Sequence, residues 1–98
     1  MLENLTHENF RKWLNQKFQI EHGGGALEVE LIECRTLASP RKKDLQREPF
    51  ALIFRGPRQP VLPQRIYKLE GGPMETLEIF MVPVGPDETG MRYEAVFS

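Results

Sequence analysis

One stretch limits the possible folds more than any other: Pro49–Pro57, P-F-A-L-I-F-R-G-P. In extended chain Phe50, Leu52 and Phe54 share one face and Ala51 and Ile53 the other, so both faces are apolar until Arg55 breaks the run. A strand of this kind sits in the middle of a sheet or in a barrel wall, covered on both sides. The flanking prolines lack the amide hydrogen a ladder needs and bracket the strand.

The other segments supply partners for such a strand. Ala26–Leu37 alternates Leu27, Val29 and Leu31 with Glu28 and Glu30, and then Ile32 and Cys34 carry the apolar side on the opposite parity. A β-bulge or bend at Leu31–Ile32 would keep both sets pointing into one interior, as small barrels require. Shorter strands are expected at Phe18–Ile20, Gln64–Glu70, Glu75–Val84 and Met91–Ser98, separated by Gly23-Gly24-Gly25, Gly71-Gly72-Pro73 and the polar turn Asp87-Glu88-Thr89-Gly90. Phe80 and Val82 make the second half of the Glu75–Val84 segment two-sided, and Val96 is the apolar exception on the wet face of the last strand. At the amino end Thr6 is a good N-cap, Leu5 and Phe10 fit a hydrophobic staple, and Phe10, Trp13 and Leu14 follow helical spacing. These residues predict a helix over about 7–17 that tucks its apolar side against the sheet.

The resulting expectation is a mainly β fold: an N-terminal α-helix followed by about five bent antiparallel strands in a small open barrel, as one domain over residues 1–98. A chain of 98 residues, 40% apolar and 28% charged, suits a single soluble globular domain. The acidic, polar amino terminus lacks the pattern of a secretory signal, the apolar runs are too short for a membrane helix, and the single cysteine forms no intrachain disulfide. Together these favour a cytoplasmic protein.

Charge is unevenly placed. Residues 35–68 carry nine basic side chains against two acidic ones, while the flanking segments are acidic. If the block converges on one face it forms a footprint for phosphate or nucleic acid, with Arg41, Lys42, Lys43, Arg55, Arg58 and Arg65 as the candidate binding surface. Alternatively the charges are spread around the barrel and pair with neighbouring acidic strands. The loop holding Arg41, Lys42 and Lys43 reads as a solvated tip, and Pro57, Pro60 and Pro63 as a stiff connection.

No catalytic or metal-binding constellation is visible. His7 and His22 have no ligand spacing to each other or to Cys34, and the glycine run lacks the G-x-G-x-x-G pattern of dinucleotide loops. Glu28 and Glu30 share a strand face, where exposure explains them without acid/base chemistry. No cofactor is implied.

Two resemblances follow from these motifs. The run F-A-L-I-F-R-G-P, then L-P-Q-R-I-Y, L-E-I-F-M-V-P-V-G-P and the ending Y-E-A-V-F resemble an uncharacterised bacterial family of small β-rich proteins over about the last half of the chain. The layout of a helix and five bent strands is similar to the Sm-like fold of RNA-binding ring proteins. That second resemblance implies oligomers formed by strand-edge pairing and RNA held near the loops. The reading these features favour is a non-catalytic protein-interaction or assembly module, with itself as a homo-oligomer or another protein as partner. Its alternative is a nucleic-acid binder using the basic middle third.

Overall fold

The computed structural model describes residues 10–23, 25–36, 49–71 and 74–97. Six strands account for most of them: β1 Lys17–His22, β2 Gly25–Thr36, β3 Phe50–Gly56, β4 Arg65–Gly71, β5 Met74–Pro86 and β6 Met91–Phe97. They close into an antiparallel barrel in the order β1-β2-β3-β6-β5-β4, with β4 returning to β1. The barrel is therefore closed and six-stranded, where the sequence suggested about five strands and an open arrangement. The sixth strand is the short Phe18–Ile20 segment, extended by main-chain pairing with β2 from Lys17↔Glu30 to His22↔Gly25.

The expected helix over 7–17 is not shown. Residues 7–9 lie outside the described residues, and beyond them only Phe10 and Arg11 are helical before turns take over at residues 12–15. Asn15 sits at φ +71°, its amide donates to the Leu31 carbonyl at 2.7 Å, and the Leu31 amide donates to the Gln16 carbonyl at 3.1 Å. Pairing with β2 thus captures the chain just where a helix would continue, and β1 begins at Lys17. The expected packing holds nevertheless: Phe10 is fully buried, and Trp13 and Leu14 pack against the core.

β3 is buried on both faces, with only Arg55 intermediate. On the inner face Phe50 stacks on Phe97 with ring centroids 4.9 Å apart, and Phe10 closes that end of the barrel 5.8 and 5.5 Å from them. Each such aromatic pair adds about 0.5–1.5 kcal/mol beyond its area burial. On the outer face Ala51 and Ile53 lie level with Arg35 and Glu33 of β2 and with Val96 and Glu94 of β6. Arg35 holds Glu33 at 3.5 Å and reaches Glu94 at 3.8 Å, so its side chain spans β3 from one neighbour to the other.

Three register shifts supply the curvature. One falls between Leu31 and Glu33, where the side-chain parity of β2 changes, leaving Val29 and Leu31 buried and Cys34 packed against the same core. Another, between Leu69 and Gly71, places Gly71 at φ +114°, a backbone region glycine tolerates best. The third, between Pro83 and Gly85, takes Pro83 into a long strand at a bulge, where the missing amide hydrogen does least harm.

Because β3 neighbours β2 and β6, the chain must cross the end of the barrel to begin β4. The proline-rich connection makes this crossing, and Leu62 plugs the opening, fully buried. Its amide donates to the Tyr93 hydroxyl at 2.9 Å, and the Tyr67 hydroxyl donates to the Pro63 carbonyl at 2.5 Å.

Candidate functional site

Of the six basic residues singled out by the sequence, Arg41, Lys42 and Lys43 lie outside the described residues. Of the other three, Arg55 and Arg58 meet at Asp87, while Arg65 stands on β4, which does not neighbour β3. Arg55, at the end of β3, donates from Nε and Nη2 to Asp87 Oδ2 at 3.0 and 2.6 Å. Asp87 Oδ1 accepts the amides of Thr89 and Gly90 at 2.8 and 2.9 Å, and Arg58 Nη2 donates to the Asp87 carbonyl at 2.8 Å. Arg65 lies on another side of the barrel, its guanidinium 5.9 Å from the Tyr67 ring centroid.

The Arg55–Asp87 cluster is a latch between β3 and the β5–β6 turn. Its carboxylate is saturated, and the Arg55 guanidinium first, then the Gly90 amide, hold the Asp87 carboxyl far below the usual range. Asp87 stays ionised at neutral pH and has no proton to give. The two backbones meet beside it, because a Cβ on Gly90 would drive into the Gly56 carbonyl oxygen. Arg55 also feels Glu30, its register partner on β2, so its charge is answered from two sides. The sequence reads Asp87 as part of a polar turn, and its partner 32 residues away carries no local signal.

Burial raises the Cys34 thiol above its usual range against the opposing charge of Arg11, which lowers its thiolate fraction. Among the described residues no group of three or more His, Cys, Asp or Glu side chains is placed to hold a metal ion.

The outer face of β4, β5 and β6 differs from the rest of the barrel. Ile66 is paired with Phe80 across β4 and β5, and Val96 is level with Ala51 across β6 and β3. Phe80 and Val96 each stand two residues from the pair Val82↔Glu94, so the same register brings them level. Ile66, Phe80 and Val96 are 62%, 51% and 57% exposed, Val84 nearby is also exposed, and Val82 is half-buried. Around this strip run Lys68 and Glu78 on one side and Glu94 and Arg92 on the other.

A groove of about 640 Å³ opens beside the strip, between the β1–β2 hairpin and β4. Glu21, Gly23 and Gly25 form one wall and Arg65, Ile66, Tyr67 and Lys68 the other, with Glu78 at its margin. A smaller groove of about 270 Å³ is lined by Lys17, Glu28, Glu30 and Arg55 among others, so its cations face carboxylates.

The arrangement defines a small closed antiparallel barrel whose interior is filled by its own side chains and whose unusual features lie on its outside. Over residues 5–97 the sequence matches the family described as Domain of unknown function (DUF6916), and the chain belongs to that family. No curated protein and no solved structure matches it. Among the described residues no helix is long and apolar enough to cross a membrane.

Proposed function

We propose that this chain is a non-catalytic assembly module that associates with further copies of itself through the outer face of β4, β5 and β6. The observation that carries this reading is the strip Ile66–Phe80–Val96 with Val82 and Val84 beside it. Single exposed apolar residues are ordinary, but here they are neighbours on one face and are rimmed by charge. Four of these side chains, each about half exposed, present on the order of 400 Å² of apolar surface, comparable to the largest patch of a typical monomer, which is often functional. Lys68 with Glu78 and Arg92 with Glu94 give the rim both signs, so a second copy meets no net like-charge repulsion.

The nucleic-acid reading receives less support, since Arg55 would have to leave Asp87 and Glu30 before it could hold a phosphate. Sedimentation velocity over a concentration series tests the assembly reading. The expected result is a concentration-dependent dimer or larger species that the double variant Phe80→Ser, Val96→Ser shifts to monomer while keeping its fold by circular dichroism. A wild-type protein that stays monomeric into the millimolar range would overturn it.

A further inference from the structure

The barrel closes unevenly, and the short β1–β4 ladder lies beside the groove of about 640 Å³. β3 and β6 pair without interruption from Phe50↔Phe97 to Gly56↔Met91. β1 and β4 pair only at Gln19↔Glu70 and Ile20↔Leu69. Continued, that register would set Glu21 against Lys68 and Gly23 against Ile66. Instead β1 turns into its hairpin with β2 through Gly23 at φ +54°, and the two walls part around the groove.

We propose that this groove binds an extended peptide as an added strand along the edge of β4 from Arg65 to Lys68. On its far side this edge is fixed to β5 through Arg65↔Met81, Ile66↔Phe80, Tyr67↔Ile79 and Lys68↔Glu78. Toward the groove no strand pairs with it among the described residues. Alternate residues of an antiparallel strand direct their N–H and C=O groups to each neighbour, so half of those on this edge face the opening. The edge is also held rigid by the buried Tyr67, whose hydroxyl is bonded to the Pro63 carbonyl, which lowers the ordering cost of binding. The edge carries Arg65 and Lys68 at its two ends, but between them Ile66 stands 62% exposed.

The side chains specify the occupant. A strand running antiparallel to β4 sets one residue beside Lys68 and, two positions later, another beside Ile66 on the same outer face. An acidic residue suits the first place and an aliphatic one the second. Glu21 on the opposite wall and Glu78 beside Lys68 disfavour further acids, so the groove selects an acid-x-aliphatic spacing rather than an acidic run. Gly23 and Gly25 leave the facing wall without side chains, and 640 Å³ falls within the roughly 300–1,000 Å³ usual for ligand clefts. The inference does not depend on self-association through the outer strip, and the two are tested separately.

The probe is the capped peptide acetyl-TETVT-amide, titrated into the isotope-labelled full chain and followed by backbone amide shifts. Saturable shifts at Ile66 and Lys68 are expected in the millimolar range. They should be lost when the peptide amides that face β4, either those of Glu and Val or that of the central Thr, are N-methylated, and weakened up to about fivefold with TKTVT, the most a cross-strand charge pair gives. In the exposed-site variant Lys68→Glu the order of TETVT and TKTVT should reverse. No saturable shift at those amides, full binding by both N-methylated peptides, or an unchanged order in Lys68→Glu would each overturn the proposal.

Discussion

The β3–β6 side of the barrel and the β1–β4 side are built from similar strands, yet they are finished differently. On the first, the ladder is unbroken, the inner face carries the Phe50–Phe97 stack, and the outer face is spanned by Arg35. On the second, two register pairs hold the seam, Ile66 stands in solvent, and a groove runs along the edge. Stability is concentrated where both faces of a strand are covered. The β1–β4 side keeps open backbone along β4 and exposed apolar surface at Ile66.

Substitutions that remove an inward residue on the first side and an outward one on the second separate the two most sharply. In urea denaturation Phe54→Ala, fully buried on β3, should cost about 3–5 kcal/mol. Tyr93→Phe should cost about 1–3 kcal/mol, because the buried Leu62 amide loses the Tyr93 hydroxyl as its acceptor. Ile66→Ala should change stability by no more than about 0.5 kcal/mol while weakening binding at the groove. A large loss from Ile66→Ala would erase the contrast.

The smallest effect concerns the latch and appears only in acid. The folded-state carboxyl of Asp87 lies below its unfolded value, so its contribution is present above the ordinary carboxylate range and is lost as pH falls through the depressed folded value. Wild-type stability should therefore decline from about pH 4 downward, and Asp87→Asn should remove that part of the decline while lowering stability at neutral pH. Thermal melts across this range check it, and identical acid profiles for the two proteins would contradict the latch.

Much of this architecture was legible in the sequence where the signal was local. The two-sided run of β3 announced a covered strand, and the parity change at Leu31–Ile32 announced a bulge that the register shows. The helix was over-read because the spacing of Phe10, Trp13 and Leu14 fits a helix and a pair of tight turns alike. The choice was made by Leu31, whose main chain binds Asn15 and Gln16 from another strand. Closure and the Arg55–Asp87 latch were likewise hidden, since both depend on pairing between distant segments. The outer strip lay between these cases: Phe80, Val82 and Val96 stood out as apolar residues on the polar parity, but only the register shows that they and Ile66 are neighbours.

Native-state amide hydrogen exchange on the free monomer tests the uneven closure most directly. The account calls for exchange at whichever alternate amides of β4 face the groove, those of Ile66 and Lys68 or those of Arg65 and Tyr67, about 100-fold or more faster than at Leu52 and Phe54, with the latter opening only on global unfolding. Equal protection at the two seams would show a barrel zipped all the way round, with no free edge on β4 to recruit a partner.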